Sequence, residues 1–168
     1  MPDRDASFDS LDTPIGRLWL AGTDAGLLLI DRSDGPEPLL GELARRGYHG
    51  VPGSAPVAGA AAWLEAYFAG THPNPPPVVV TTGLPRFDGA VYRAAMEIPY
   101  GETVSYGELA AMAGSPRAAR AVGGAMARCP LFPVVPCHRV IHADGSIHGW
   151  GRELWVKRWL LQHEGWGG

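Results

Sequence analysis

The residues best suited to chemistry in this 168-residue chain are its two cysteines, Cys129 and Cys137. Cys137 lies in the segment Pro136-Cys137-His138-Arg139, beside an imidazole and near a guanidinium. Because the thiolate is the nucleophilic form of cysteine and nearby positive charge favours it, this segment predicts a reactive thiol. The alternative for either cysteine taken alone is a small buried hydrophobic residue. Two cysteines without a Cys-x-x-Cys pattern exclude a disulfide framework and give no indication of zinc or redox chemistry.

His138 is the candidate base for this thiol. Adjacent residues in an extended segment point apart, so we expect a bridging water rather than a direct contact to link His138 to Cys137. A histidine that relays a proton needs a carboxylate to fix its tautomer. Glu153 and Glu164, at the two ends of the predicted last helix, are the local candidates. For each of them the ordinary alternative is a solvated helix end.

The charge of the chain is unevenly distributed. The formal net charge is −3, but residues 1–85 carry −5 and residues 86–168 carry +2. Residues 109–143 contain no acidic side chain. The basic and imidazole side chains of that stretch are Arg117, Arg120, Arg128, Arg139, His138 and His142. This distribution predicts a phosphate-facing surface in a protein that is acidic as a whole.

Composition limits the class of protein. Hydrophobic residues make up 46% of the chain and charged residues 18%, which excludes disorder, while 23 Gly and 16 Pro exclude a long coiled coil. No apolar run approaches the roughly 20 residues needed to cross a bilayer, and the first residues carry acids where a signal peptide would be basic and then apolar. We therefore expect no membrane partner and a cytoplasmic location.

The first half of the chain predicts a small sheet with helices. Short apolar runs within residues 7–31 are separated by glycine turns and predict antiparallel strands. Helices are predicted over 39–45 and 57–68, and the β-branched run 78–82 predicts a further strand. We place a domain boundary near Gly83.

The second half is predicted to be mostly helical. The first helix covers 87–98, and a capping box of Ser105 and Glu108 opens a short helix ending at Met112. Ser115 is predicted to cap a helix over 117–127, in which Arg117 and Arg120 share a face. This pair is typical of a helix-turn-helix, and the alternative is a helical hairpin packed in the core.

The approach to Cys137 and the end of the chain have different patterns. Prolines at 130, 133 and 136 exclude regular structure before Cys137. The last helix is predicted over 153–163, and we expect most of its circumference to be buried through Leu154, Trp155, Trp159, Leu160 and Leu161.

Three motifs give this half a resemblance to a known family. The strings IPYGETVSYGELA (98–110), AARAVGGAM (118–126) and PCHRVI (136–141) resemble the O6-alkylguanine-DNA alkyltransferases in order and spacing. The pattern Lys157, Leu160, Leu161, Glu164 and Gly165 agrees as well, so the resemblance covers 84–168. The first 80 residues are similar in their strand-then-helix layout. The resemblance implies an α/β protein with two domains: a ribonuclease H-like α/β domain over 1–83, with a small antiparallel sheet and a helix, and a mostly helical DNA-binding and alkyltransferase domain over 84–168.

The resemblance also implies a reaction. Cys137 would attack the alkyl carbon on guanine O6 in line and keep it as a thioether, in a single turnover without a cofactor. His138 would act through a water as the base, and Glu164 would orient it. Tyr106 would donate a hydrogen bond to the guanine as it leaves. The implied function is direct repair of O6-alkylguanine, mainly O6-methylguanine, in DNA.

The implied partner is double-stranded DNA, bound through the minor groove with the damaged nucleotide rotated out. Arg120 would fill the vacated stack. Further DNA contacts are expected from Ser105 and Arg117, and from Ala121 and Gly124, whose small size allows close approach. Backbone carbonyls of Cys137 and Val140 would read the guanine amino group, and the Gly151 N–H would face O6. The pocket is completed by Met126, Trp150 and Arg152, and we expect the protein to be a monomer.

The chain departs from the family pattern at several positions. Cys129 stands where the family usually has an asparagine that ties the helix-turn-helix to the active-site loop. Trp150 replaces a tyrosine, and Gly151-Arg152 replaces two small residues, so we expect a narrower pocket entrance unless Arg152 points outward to a DNA phosphate. Tyr92 replaces a common tryptophan. The first domain lacks cysteines, and His49 and His72 cannot build the zinc site of some relatives, so we predict no metal.

Two other functions are compatible with parts of the sequence. A non-catalytic sensor could flip alkylated bases and recruit repair factors, but relatives of that kind lack the cysteine that is present here at 137. A helix-turn-helix transcription factor would read the major groove and gives no reason for the Pro136-Cys137-His138-Arg139 segment.

Overall fold

The computed structural model describes residues 4–150 and 152–168. The chain divides into two compact units, Met1–Gly83 and Leu84–Gly168. No helix in the described part of the chain is long and apolar enough to cross a membrane.

The first unit is built on a four-stranded sheet. Its strands are β1 (Arg4–Thr13), β2 (Gly16–Thr23), β3 (Gly26–Arg32) and β4 (Tyr48–Pro52), in the order β3-β2-β1-β4. β1, β2 and β3 pair antiparallel, as predicted. Gly16 and Gly26 open β2 and β3 with φ of +111° and +136°, which favours glycine at both turns. Strand β4 was not predicted, because the sequence around it is rich in glycine. It pairs parallel to β1, which makes the sheet mixed.

Helix α1 (Glu37–Arg45) connects β3 to β4 and helix α2 (Ala58–Phe68) follows β4, and both were predicted to within two residues. α1 buries Leu39 and Leu43 among a cluster of sheet residues formed by Ala6, Ala21, Leu28 and Leu29. This apolar cluster closes one face of the sheet.

The strand predicted over 78–82 is wrong. In the described chain this segment makes one parallel bridge, between Val79 and Leu27, with hydrogen bonds from Leu27 N to Val78 O and from Val80 N to Leu27 O, both 2.8 Å. β-Branched residues favour extended backbone, but a strand also needs a partner along its length. Val78 is 71% exposed, whereas Val80 packs against the core cluster of the sheet.

In its described residues, the second unit has four α-helices, a 3₁₀ turn and a short strand pair. The helices are α3 (Arg86–Ala95), α4 (Tyr106–Met112), α5 (Ala119–Ala127) and α6 (Leu154–His163), and the strands are β5 (Val104–Ser105) and β6 (Val140–Ile141). β5 and β6 pair parallel, with Val104 opposite Val140. This pairing brings the start of α4 beside the segment that follows Cys137.

The capping box at the start of α4 is confirmed. Glu108 N donates to Ser105 Oγ at 3.0 Å, and Ser105 N donates to Glu108 Oε2 at 2.6 Å. The predicted start of α5 is wrong by two residues. Ala118 N donates to Ser115 O, which closes a tight turn before the helix begins. Arg117 therefore lies in the turn and does not share a helix face with Arg120.

The expected burial of α6 is confirmed for Leu160 and Leu161 and is wrong for Leu154 and Trp155. The buried residues of the helix are Val156, Lys157, Leu160 and Leu161, while Leu154 is 36% and Trp155 49% exposed. A single stripe with i, i+3 and i+4 spacing thus faces inward, and the remaining aromatic residues lie outside it. Lys157 belongs to the buried stripe because its ammonium group has an acceptor inside the protein.

Candidate active site

Cys137 lies in a buried turn. Residues 137–139 form a short 3₁₀ helix, so the extended geometry expected for this segment is wrong. Hydrogen bonds from Val135 N to Leu131 O (2.9 Å) and from Cys137 N to Val135 O (2.8 Å) fold the proline-rich approach into successive turns. All residues from 131 to 141 are buried, and Cys137 is fully so. The thiol is therefore held in a preformed and desolvated position.

His138 and Glu164 form a close buried pair. His138 Nε2 lies 2.6 Å from Glu164 Oε2. Glu153, the other candidate, lies at the surface and accepts a hydrogen bond from Trp155 Nε1 at 2.5 Å. Because Glu164 is acceptor-only when ionised, Nε2 carries the proton and Nδ1 keeps its lone pair. Nδ1 is buried and bonds to no described residue, which leaves it able to accept a proton.

Arg139 completes this network from the other side of the carboxylate. Its Nε donates to Glu164 Oε1 at 2.8 Å, its Nη2 to Oε2 at 3.2 Å and its Nη1 to Ile98 O at 2.7 Å. Gly101 N also donates to Oε1 at 2.9 Å. Arg139 is thus a structural partner of the site and not the phosphate-facing residue expected from the acid-free stretch.

Burial and pairing shift the pKa values of Glu164 and His138 in opposite directions. Burial alone would raise the pKa of Glu164, but the hydrogen bonds and charges of His138 and Arg139 hold that pKa well below its usual range. For His138, burial outweighs the carboxylate and lowers the pKa. At neutral pH the pair therefore consists of a carboxylate and a neutral imidazole, which is the state required of a general base.

Cys137 has a lowered pKa although it is buried. Burial opposes ionisation, but a hydrogen bond from the Cys129 thiol and the charges of Arg152 and Lys157 outweigh it. The pKa of Cys129 is raised by burial and by its neighbour Cys137. The two thiols are therefore not equivalent, and Cys137 is the one that ionises.

Lys157 is a site residue to which the sequence analysis gave no role, although it belongs to the pattern that resembles the family. Its Nζ donates to Val140 O at 2.5 Å and lies 5.7 Å from the ring centre of Tyr106 and 5.5 Å from that of Trp150. Burial lowers its pKa to about 8, against the effect of Cys137. Its position in the apolar stripe of the last helix was the signal available in the sequence.

Tyr106 is the first residue of α4 and is half-buried. Its ring lies 5.1 Å from that of His142. Burial raises the pKa of Tyr106, and the neighbouring Cys137 raises it further. The hydroxyl group therefore stays protonated at neutral pH and can donate a hydrogen bond.

The predicted pocket residues occupy different positions around this centre. Met126, Val140 and Trp150 are buried, and the Trp150 ring meets Phe132 edge-on at 5.1 Å. The carbonyls of Cys137 and Val140 already accept bonds from Val140 N and Lys157 Nζ, and each has a second lone pair. Gly151 lies outside the described residues.

Arg152 does not point outward to solvent. Its Nη1 donates to Met126 O at 2.8 Å and its Nη2 to Cys129 O at 2.5 Å. The guanidinium lies 5.4 Å from the Trp150 ring centre. The expected alternative of a free phosphate contact is therefore wrong, and the narrower entrance remains a prediction.

Some of the residues expected to face DNA are exposed and others are half-buried. Arg117, Arg120 and Ala121 are exposed, whereas Ser105 uses its side chain as the cap of α4. A Cβ atom at Gly124 would lie 2.9 Å from Arg128 Nη1, so Gly124 accommodates that side chain.

The basic surface is also smaller than the sequence indicated. Arg128 pairs with Asp88 through two bonds, Nη2 to Oδ1 at 2.9 Å and Nε to Oδ2 at 3.1 Å. His138 and Arg139 are buried and His142 is half-buried. Arg117, Arg120 and Arg128 are therefore the exposed basic residues of the acid-free stretch, and the guanidinium of Arg128 is paired with Asp88.

Two family models match the chain. Residues 8–74 match the ribonuclease-like domain of 6-O-methylguanine DNA methyltransferase, and residues 86–166 match its DNA binding domain. Curated relatives named methylated-DNA–protein-cysteine methyltransferase include one from Mycobacterium leprae, 41% identical over 92% of this chain and 90% of the relative. Another, from Mus musculus, is 39% identical over 94% of this chain and 81% of the relative.

A solved structure agrees with the sequence relatives. The crystal structure of Mycobacterium tuberculosis OGT in complex with DNA is similar with a TM-score of 0.79 and 39% identity, over 94% of this chain and 92% of that one. The family models, the identities and the coverage lead to one conclusion: the chain belongs to the 6-O-methylguanine DNA methyltransferase family.

Proposed function

We propose that this chain repairs O6-alkylguanine in DNA, mainly O6-methylguanine, by transferring the alkyl group irreversibly to Cys137, once per molecule. The observation that carries the proposal is the fully buried Cys137 with a lowered pKa, next to a His138–Glu164 pair 2.6 Å apart. A thiolate held in place beside a neutral imidazole suits attack on an alkyl carbon.

The reaction consists of one displacement. The Cys137 thiol gives its proton through a water to His138 Nδ1, while Glu164 holds the ring by Nε2. The sulfur forms a bond to the alkyl carbon as the bond from that carbon to guanine O6 breaks, and the electron pair passes to the guanine. Tyr106 donates a hydrogen bond to the departing base, which then gains the proton that balances the one lost by the thiol. The thioether is stable, so each molecule acts once.

DNA binding is assigned to the start of α5. A buried cysteine cannot reach a base inside a duplex, so the damaged nucleotide must be rotated out of the stack. Arg120 and Ala121 are exposed in the first turn of α5, and Arg117 is exposed in the preceding turn. We assign Arg120 to the vacated stack and Arg117 to a phosphate. Gly124 and Ser105 are assigned to the backbone side of the same minor-groove contact.

The remaining assignments follow from this activity. The division into Met1–Gly83 and Leu84–Gly168 supports a ribonuclease-like domain followed by a DNA-binding alkyltransferase domain. The nucleophile must stay a free thiol, which favours the reducing cytoplasm. We assign a monomer, because every residue of the reaction comes from one chain.

A pair of serine variants tests the proposal. Cys137→Ser should retain binding to duplex DNA and lose transfer of label from DNA carrying O6-methylguanine. Cys129→Ser is the matched control, since it changes the other buried thiol, and it should keep single-turnover transfer. Transfer by Cys137→Ser, or repeated turnover by the unmodified chain, would overturn the proposal.

A further inference from the structure

Arg152 joins two segments around the nucleophile through a pair of hydrogen bonds. The carbonyls at the end of a helix lack partners within the helix, and Met126 and Cys129 lie at and just beyond the end of α5. Met126 O also accepts a longer bond, of 3.3 Å, from Cys129 N. Arg152 donates from separate nitrogens to both carbonyls, at 2.8 Å and 2.5 Å. One planar guanidinium therefore closes the end of the helix from a segment 23 or more residues further along the chain.

The same guanidinium packs between aromatic rings beside the site. It lies 5.1 Å from the ring centre of Phe132 and 5.4 Å from that of Trp150. Phe132 in turn meets the His138 ring edge-on at 6.0 Å. Arg152 thus connects the end of α5, the wall of the site and the ring next to the proposed base.

We propose that Arg152 is a positioning residue for alkyl transfer: it fixes the end of α5 to the Cys137 loop and places a permanent positive charge near the thiol. This assignment rests on the proposed function for its role in transfer. Lysine cannot replace it fully, because a single ammonium group cannot bond two carbonyls in the plane of a fork and stack on two rings.

The charge environment of Cys137 supports the second part of the assignment. The Arg152 charge is among the causes that lower the pKa of Cys137. Other groups also face the thiol and titrate or carry charge, and any measurement must include them: Cys129, Lys157, Tyr92, Tyr106 and the adjacent His138. Arg152 and Lys157 are the cations among them.

Thiolate titration tests this without requiring transfer. The ultraviolet absorbance of the thiolate is followed against pH, and each protein is compared with its own Cys137→Ser partner. The difference removes the tyrosine absorbance and reports Cys137 together with its effect on Cys129. Arg152→Gln should raise the midpoint by about one pH unit or more, roughly a tenfold loss of thiolate at neutral pH. Arg158→Gln, which removes the same charge from an exposed position on α6, should leave the midpoint unchanged. An equal midpoint in these two variants, both folded by circular dichroism, would overturn the charge assignment.

Arg152→Lys tests the hydrogen-bonded fork and remains informative where Arg152→Gln does not fold. It keeps the charge, so its midpoint should stay near that of the unmodified chain. Its transfer rate from methylated duplex should fall about tenfold even at a pH where Cys137 is fully ionised. An unchanged rate there would overturn the positioning role. If the unmodified chain transferred no alkyl group, the proposed function would fail while the titration would still decide the charge assignment.

Discussion

The two units differ in what they bury. In the described part of the chain, the buried polar side chains all belong to the second unit: Asp88, His138, Arg139, Lys157 and Glu164. In the first unit the pair Arg17–Asp12 is exposed, with 45% and 79% of the side chains accessible. Burying a charge costs free energy unless it is paired, so polar side chains that stability does not need are left at the surface. The difference is that the second unit buries charged and imidazole side chains in paired networks, whereas the ion pair Arg17–Asp12 of the first unit stays at the surface.

The largest effect is expected at Glu164. Glu164→Gln removes the charge that orients His138 and pairs with Arg139, so transfer should fall roughly 10²- to 10⁴-fold, and unfolding should become easier by roughly 3–5 kcal/mol. Because the folded pKa of Glu164 is depressed, its stabilising contribution is present above the unfolded pKa of about 4.3 and is lost as pH falls through the folded value. Denaturant unfolding at several pH values should therefore show a smaller loss in acid for the variant.

Glu153→Gln is the matched control for that change. Glu153 precedes the same helix and bonds the exposed Trp155, so its replacement should alter neither transfer nor the acid dependence. Equal transfer rates for the two glutamine variants would remove the buried pair from the mechanism.

The next effect is expected at the exposed surface of the second unit. Arg120→Ala should reduce repair of methylated duplex about tenfold or more, because rotating a base out of the stack costs a few kcal/mol. Reaction with the free base O6-methylguanine should change little, since it needs no rotation. Arg158→Ala, an exposed arginine on α6, controls for the loss of charge. Equal losses on duplex and free base would exclude Arg120 from the flipping step.

Replacing Lys157 should have a smaller effect, which concerns the pH dependence of the unfolding free energy. Its folded pKa of about 8 lies below the ordinary value of 10.5, so the unfolded chain binds more protons between these values. The unfolding free energy should therefore rise with pH over that interval. Lys157→Met should lack this rise in the unfolding free energy. The thiols titrate in the same pH range in both proteins, so the difference between the two curves is due to Lys157. Urea unfolding from about pH 7 to pH 10 measures the difference, and parallel curves would contradict the buried charge.

The smallest effect on the reaction is expected in the first unit. At Gly26, φ is +136° and a Cβ atom would lie 2.6 Å from Val78 O, so Gly26→Ala should cost about 1–3 kcal/mol of stability. Gly41 lies in α1 with open space around it, and Gly41→Ala should not destabilise. Neither variant should change the rate with free O6-methylguanine while both are folded. A rate change for Gly26→Ala alone would break the contrast between the units.

The sequence predicted the features that depend on short local patterns. The capping box of Ser105 and Glu108 was predicted correctly because both partners lie within one turn. The motifs around Cys137 were specific enough to predict the family. β4 was missed because its pairing with β1 depends on residues more than 40 positions away.

The buried charges were harder to predict than the motifs. Arginine and lysine are ordinarily surface residues. A sequence pattern cannot show that Arg139 bonds the buried carboxylate of Glu164 or that Lys157 bonds the buried carbonyl of Val140. Arg152 was expected at the pocket entrance or on a phosphate. Its actual acceptors, the carbonyls of Met126 and Cys129, could not be predicted because they depend on where α5 ends. Such pairings are set by tertiary packing and not by local sequence.

Direct identification of the cysteine that receives the alkyl group tests the proposed reaction. The chain is incubated with excess duplex carrying O6-methylguanine, and intact mass and peptide mapping follow. We expect the mass of one methyl group per molecule, located on Cys137 and never exceeding one equivalent. A methyl group on Cys129, or continued demethylation beyond one equivalent of protein, would contradict the proposed reaction.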